Sequence, residues 1–544
     1  MRRLNARKPA KSPPKMDPIK LHLRPTARSS NLFSRSPGKQ QPRPNLCILS
    51  SILISLSFLL CYLFLFPKNS GPPGGKRYAI VIDGGSTGTR IHVFGYSRDA
   101  GKAPAFDFGE GGLASMRVNP GLSAYAEDPE SAGRSLRELI EFGKQRVPRE
   151  QWANTEIRLM ATAGMRLLEL PVQYRILESC RGALRESGFK FRDEWASVIK
   201  GSDEGVYAWV VANYALGSLG GDPLQTTGIV ELGGASAQVT FSSSEPLPPK
   251  FSRVVKFGNI TYNLYSHSFL HFGQNVAFET LRELIASGDY NAATDSLQKG
   301  IYIDPCIPKG YSSTGPWRFS PGPLDNKNRH IFSVQSQGNF SECRSAALHL
   351  LQKGKDKCTH QHCYIGSVFT PKLQGKFLAT ENFFHTSKFF GLAQKALLSD
   401  LMSAGQRFCG EDWSVLKKRH SSLREEDLLH YCFSSAYIVA LLHDSLGITL
   451  NDERIWFTNQ VGSVTLDWAL GAFILQSTES ADSEVPHWFS MIIGDDSHRL
   501  LLIGGILVII TLIGWFISKW RKPQLKTIYD LEKGRYIITR VNRY

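Results

Sequence analysis

The sequence predicts an α/β body of two related lobes facing one cleft, held between two membrane-spanning helices. Three observations predict it. Residues 78–94 (YAIVIDGGSTGTRIHVF) read as strand, glycine loop, strand. Residues 229–241 (IVELGGASAQVTF) repeat that layout 148 residues later. Two long uncharged apolar runs lie close to the chain ends.

In the first unit the β-formers Ala79, Ile80, Val81 and Ile82 end in Asp83, and alternating apolar residues resume at Ile91, Val93 and Phe94. The small residues between them are Gly84, Gly85, Ser86, Thr87, Gly88, Thr89 and Arg90. Glycines tolerate positive φ and leave loop N–H groups open to a ligand, so these groups and the Ser86 and Thr87 hydroxyls make an anion cradle. Asp83 at the strand end suits a hydrated divalent cation. The strand–loop–helix pattern GxxxxGK[ST] is missing, and taken alone the unit could be a plain glycine hairpin. The second copy decides. Glu231 precedes Val239 by eight positions as Asp83 precedes Ile91, and Gly233 stands two residues after its acid as Gly85 does. Chance turns rarely repeat such a layout, so two phosphate-sized loops on two lobes are expected.

The ends explain the charge. The 544 residues carry a formal +16, but residues 1–45 hold 12 Lys/Arg against Asp17 alone, and residues 518–544 hold 8 against Asp530 and Glu532. The bulk is nearly neutral, which argues against nucleic acid as a partner. Residues 46–66 (21 positions without a charge) and 500–517 (18) are each long enough to cross a bilayer as a helix. A basic region of 45 residues is too long for a cleaved signal peptide. Both basic flanks point away from the middle, so both termini are expected in the cytosol and the body in a lumen or outside the cell. Residues 1–45 read as a disordered tail, 67–76 as a Pro/Gly linker, 481–499 as a second linker and 518–544 as a basic tail. The lengths of the apolar runs suit a Golgi or vesicle membrane slightly better than the plasma membrane.

An oxidising compartment fits seven cysteines in the body, an odd number, with the early and isolated Cys180 the candidate free thiol. Cys358-Thr-His-Gln-His-Cys363 invites a zinc reading, but CxxC spacing is missing and a short-loop disulfide is favoured. Asn259 and Asn339 open glycosylation tripeptides. Along the body, residues near 109–112 read as loop and residues 129–147 as helix. Residues 156–168 start as a strand, turn through Ala161-Thr162-Ala163-Gly164 and continue as a helix. Small residues there serve either ligand approach or close packing. Asp203-Glu204 opens a further helix, and acids in a first turn are either a dipole-favoured solvated pair or a base aimed at a water. His267 reads as a structural histidine.

Five segments in order, DGGSTGTR (83–90), ATAGMR (161–166), GSDEGVYAW (201–209), ELGGASAQ (231–238) and WALG (468–471), resemble the five conserved regions of the GDA1/CD39 family of nucleoside triphosphate diphosphohydrolases, most like plant-type membrane apyrases. The likeness spans residues 78 to about 476. It implies an actin/Hsp70-like fold (a ribonuclease H-like duplication), with lobe I at 77–200 plus 463–480 and lobe II at 201–462. It implies a Ca²⁺- or Mg²⁺-dependent hydrolase of the terminal phosphate of nucleoside tri- or diphosphates. Glu204 would be the general base, with Ser236 and Gln238 placing the water. Asp83 and Glu231 would hold the metal through waters. Gly85, Ser86, Thr87, Gly88, Thr89 and Arg90, with Gly233, Gly234, Ala235 and Ser236, would bind the phosphates, and Thr162 would line the site. It also implies disulfides Cys358–Cys363 and Cys409–Cys432, and with them Cys306–Cys343. The chain departs from the family pattern at Glu231 (commonly Asp), Gly84 (Ala), Gln274 (often Arg near the base) and Phe384-His385 (often paired tyrosines). Phe384 reads as a base-stacking ring or as core.

Two other functions compete. A sugar kinase of the same broad fold would need an acceptor-binding Asp base in the first lobe. A nucleotide receptor without turnover would have no need of Glu204, Ser236 and Gln238.

Overall fold

The computed structural model describes residues 76–97, 105–107, 112–286, 301–313, 333–359, 362–482, 513–514, 525–530 and 534–540. The expected apolar spans 46–66 and 500–517, the linkers, the 1–45 tail and most of the loop near 109–112 lie outside these residues, apart from 76 and 481–482 in the linkers and 513–514 in the second span. Among the described residues no helix is long and apolar enough to cross a membrane.

Two six-stranded sheets carry the body. The first holds β1 (Arg77–Gly84), β2 (Thr89–Ser97), β3 (Ala105–Phe106), β4 (Leu113–Val118), β5 (Glu156–Ala161) and β6 (Ala196–Val198), in the order β3-β2-β1-β5-β6 with β4 also on β2. The second holds β7 (Gly228–Leu232), β8 (Ser236–Ser242), β9 (Ser252–Phe257), β10 (Ile260–Leu270), β11 (Phe377–Glu381) and β12 (Ile455–Phe457), in the order β12-β11-β7-β8-β10-β9. Each sheet is built alike. An antiparallel hairpin (β1–β2, β7–β8) is flanked on its first strand by two parallel strands, β5–β6 or β11–β12. The duplication suggested by the two glycine loops is therefore a duplication of the whole sheet.

Between the sheets lie helices α1 (Gly201–Ala215) and α2 (Trp468–Asp482), packed on each other. One core joins them to both sheets, through Val81 and Phe94 on one side and Ile229 and Leu264 on the other. The outer face of the first sheet buries Ile80, Ile82 and Leu159 with helices at Arg137–Arg146 and Leu170–Arg185. That of the second buries Val230, Leu232 and Val239 with helices including Phe340–Gln352 and Glu425–Val439. A strand sends alternate side chains to opposite faces. Asp83 shares its parity with Ala79 and Val81, and Glu231 with Ile229, so both acids turn to the inner layer. The expected helix over 129–147 is two helices, Glu130–Ser135 and Arg137–Arg146.

Disulfides join Cys306–Cys343, Cys358–Cys363 and Cys409–Cys432, which removes the zinc alternative, and Cys180 is free and buried. Burial pushes the Cys180 thiol up to about 12, so it is an inert core residue. Asn259 sits exposed in the β9–β10 turn. Asn339 caps the helix Phe340–Gln352, its Oδ1 accepting from Glu342 N–H at 3.2 Å. Part of the basic tail 518–544 forms an antiparallel hairpin, Leu525–Asp530 with Arg535–Arg540.

Candidate active site

The two hairpin turns come together in one cavity. It is lined by Asp83, Gly85, Ser86, Thr87, Gly88 and Arg90 from the first, and by Glu231, Gly233, Gly234, Ala235, Ser236 and Gln238 from the second. Glu204 and Thr162 line it too. The turns touch closely: a Cβ on Gly234 would lie 2.7 Å from Ser86 Oγ. Gly84 has the same constraint, because a Cβ there would come within 2.8 Å of Leu122 Cδ1. Thr89 is the exception among the expected phosphate-binding residues. It opens β2, pairs with Gly84 and is fully buried, so strand alternation removes its side chain from the cavity.

The two acids at the start of α1 part company. Asp203 reaches Arg253 at 3.6 Å near the surface, the bland reading of a first-turn acid. Glu204 is 12% exposed and accepts from Arg166 Nη2 at 2.9 Å. Arg166 also reaches Ser236 Oγ at 3.4 Å, and Gln238 Nε2 donates to Ser236 Oγ at 2.7 Å. Carboxylate, guanidinium, hydroxyl and amide thus form one chain of contacts across the sheets. Burial raises the Glu204 pKa and the Arg166 cation pulls it back, which leaves a carboxylate with enhanced basicity. The turn after β5 both lines the cavity and packs closely. Thr162 and Ala163 line the cavity, while Gly164 packs against the first loop, where a Cβ would meet Ser86 Cα at 2.8 Å.

Three lining residues escaped the sequence reading: Arg117, Glu381 and Asp467. Asp467 Oδ1 accepts from Ala469 N–H at 2.9 Å, and its other oxygen lies 3.3 Å from both Arg90 and His92. An Asp immediately before an apolar helical run is an N-cap signal that could have found it. Glu381 ends β11 with φ 58° and ψ −121°, backbone that side-chain-bearing residues rarely adopt. Its N–H donates to Asn459 Oδ1 at 2.7 Å, and Asn382 Nδ2 donates to Leu232 C=O at 2.8 Å, so both sides of the strained residue are held. Of the neighbouring rings Phe383 is the core residue; Phe384 is partly exposed, with Lys388 Nζ 5.7 Å over it. His267 lies outside the cavity between Phe251 and Phe269, and burial brings it down to about 4, as a structural histidine requires.

Asp83 Oδ1 and Glu231 Oε2 are buried without a hydrogen-bond partner. Burial raises both carboxyls well above their usual range; Asp467 and Glu204 add repulsion at Asp83, and Glu204 and Glu381 at Glu231. Such a set of hard oxygen donors fits a divalent cation. Among the described residues no three acid, histidine or cysteine side chains are close enough to ligate one ion together, so waters would complete its shell.

Residues 72–485 match the GDA1/CD39 (nucleoside phosphatase) family. The chain belongs to that family. This GDA1/CD39 chain is 58% identical, over 556 aligned positions, to the probable apyrase 6 of Arabidopsis thaliana, covering 99% of itself and all of that protein. To the probable apyrase 4 of the same plant it is 54% identical, over 88% of this chain and 95% of the relative. Its fold is similar to that of a nucleoside triphosphate hydrolase from Neospora caninum, with a TM-score of 0.56 at 16% identity over 80% of this chain and 97% of that one. It is an enzyme, a nucleoside phosphatase of mixed α/β, actin-like fold.

Proposed function

We propose that the protein is a membrane-bound apyrase that removes the terminal phosphate of nucleoside tri- or diphosphates. The observation that carries this reading is the placement of Glu204, held by Arg166 at 2.9 Å, in the cavity shared by both glycine loops and the unpartnered acids Asp83 and Glu231. Phosphoryl transfer needs little covalent chemistry from a protein; in-line placement and charge neutralisation supply most of the catalysis. The N–H groups of Gly85–Gly88 and Gly233–Ala235 would cradle the phosphate oxygens. Gln238 and Ser236 would orient the attacking water, and Glu204 would accept its proton. Asp83 and Glu231 would hold Ca²⁺ or Mg²⁺ through waters; the ion neutralises phosphate oxygens when bound.

The compartment belongs to the same proposal. Helices at 46–66 and 500–517 would anchor the chain in a membrane of the secretory pathway with the body lumenal or extracellular, their lengths suiting a Golgi or vesicle bilayer slightly better than the plasma membrane. The three disulfides support an oxidising compartment. The neutral body gives no reason to expect nucleic acid.

The test is phosphate release by detergent-solubilised protein from ATP, ADP, UDP and GDP, with Ca²⁺, with Mg²⁺ and with chelator. Glu204→Gln is expected to lower kcat by about 10²–10⁴-fold while nucleotide still binds. Unchanged release by that variant would remove Glu204 from the mechanism.

A further inference from the structure

Glu204 sits in the first turn of α1, and that turn leans on the second sheet. Lys200 at its N-cap makes no side-chain bond to it. Thr240 on β8 and Ser266 on β10 are paired in register and buried, with their hydroxyl oxygens 2.8 Å apart. Ser266 Oγ donates to the carbonyl of Ser202, two residues before Glu204, at 2.7 Å. A serine hydroxyl has one proton to give, so the bond between the two hydroxyls runs from Thr240 to Ser266. The next pair nearer the cavity repeats the arrangement: Gln238 stands opposite Ser268, and its Nε2 donates to Ser268 Oγ at 3.2 Å. Strand alternation puts Ser236, Gln238 and Thr240 on one face of β8, with Ser268 and Ser266 beside them on β10.

Two glycines let α1 lie on this polar stripe. A Cβ on Gly205 would come within 2.5 Å of Thr240 Oγ1 and 3.1 Å of Ser266 Oγ, and one on Gly201 would collide with Ser268. From β9, Arg253 Nη2 donates to Ser202 Oγ at 2.5 Å. Neither Thr240 nor Ser266 lines the cavity. A hydroxyl pair buried for packing alone could be replaced by apolar groups of the same shape at little cost; what the hydroxyls add is direction.

We propose that Ser266, oriented by Thr240, is a positioning residue for the hydrolysis: it fixes the seat of α1 on the second sheet, and with it the place of the Glu204 carboxylate beside Ser236 and Gln238. The inference rests on the hydrolase reading above. As the water oxygen bonds to the terminal phosphorus, its proton goes to Glu204 and the electron pair of the broken P–O bond stays on the leaving nucleoside phosphate. A base displaced by about 1 Å at such a step can cost on the order of 10²-fold.

The test is a double-mutant cycle read by phosphate release from ADP and UDP, with Mg²⁺, on the detergent-solubilised full chain. Ser266→Ala is expected to lower kcat by about tenfold or more with KM within about twofold, since it moves the base and leaves the phosphate loops in place. In the Glu204→Gln background the same change should cost less than about twofold, because a residue that acts through Glu204 then has nothing left to place. Thr240→Val, which keeps the side-chain shape, should show a smaller loss with the same dependence on Glu204, and Thr240→Ser, which keeps the hydroxyl, should stay near the wild-type rate. Melting curves report folding, and Thr240→Val carries the test if Ser266→Ala does not fold. Unchanged kcat in the folded variant, or a KM that rises as much as kcat falls, overturns the inference. So does an equal loss with and without Glu204, which would make the hydroxyls a structural brace. A Glu204→Gln protein as fast as the wild type overturns the assigned base and the inference with it; a wild type that releases no phosphate overturns the hydrolase reading on which both stand.

Discussion

The two glycine hairpins occupy the same place in their sheets, and the differences between them divide the work of the site. In the first, Asp83 pairs with Arg90 across the turn; in the second, Glu231 pairs with Gln238. On the parallel neighbour Ala161 stands opposite Gly84, and Glu381 opposite Leu232. The following residues, Thr162 and Asn382, each donate to the carbonyl of the residue after the hairpin acid, Gly84 or Leu232. Duplication thus supplies two matched clamps and two acids. The unmatched positions make the site asymmetric: cations on the first sheet, and the amide and hydroxyl that touch the Glu204–Arg166 pair on the second.

The largest effect expected to break that division is the contrast between the register-matched Arg90 and Gln238. Gln238→Ala should lower kcat by about 10²-fold with KM little changed, because an amide that orients the water acts in the transition state. Arg90→Ala should raise KM as well, because a phosphate-binding cation acts in the ground state too. Steady-state rates on a nucleoside diphosphate measure both. The same split between kcat and KM in the two variants would mean that the lobes do not divide the work.

A smaller effect concerns what the lobes share. Burial is the first cause of the raised pKa of Asp83, Glu231 and Glu381, and the neighbouring acids add to it. A carboxyl whose folded value stands above its unfolded one binds its proton more tightly when folded. Its contribution to stability is therefore greatest at low pH and falls as pH rises from the ordinary carboxylate range through the raised values, by about 1.4 kcal/mol per pH unit per group. His267 and His430, both brought down to about 4 by burial, act in the opposite sense, and only below the usual 6.5. In chelator Asp83→Asn with Glu231→Gln should accordingly gain melting temperature over the wild type as pH rises out of the ordinary carboxylate range, and excess Mg²⁺ or Ca²⁺ should remove that gain. A gain that shrinks as pH rises would contradict the assigned acids.

How much of this was legible in the sequence depends on how local the signal was. Asp83, Glu231 and the two turns were readable because strand, acid and glycines sit in one short window. Helix-start chemistry gave Asp203 equal standing with Glu204, and only the family resemblance chose between them; in the structure the 2.9 Å contact with Arg166 sets Glu204 apart. Arg117 carries no motif of its own. It reaches the site because β4 pairs with β2 in a register that sets it against Arg90, and sheet register between distant strands cannot be read from either strand alone. Glu381 depends on a backbone conformation its residue type does not predict. Thr89 was assigned to the loop by proximity, and the two-residue strand period buries it instead.

The smallest expected effect tests whether the matched bonds after the third strands are equivalent in strength as well as in place. Asn382 Nδ2 donates to Leu232 C=O at 2.8 Å, whereas Thr162 Oγ1 reaches Gly84 C=O at 3.4 Å, beyond the usual O–H···O range. Asn382 also follows the strained Glu381, so losing its bond frees the residue that holds that backbone in place. Asn382→Ala should therefore cost about 1–3 kcal/mol by leaving a part-buried carbonyl unpaired, whereas Thr162→Val should cost under about 1 kcal/mol. Melting temperatures of the two variants in chelator measure the difference. Equal losses would show that the second lobe's strand end carries no extra strain, and that the two sheets hold their loops equally firmly.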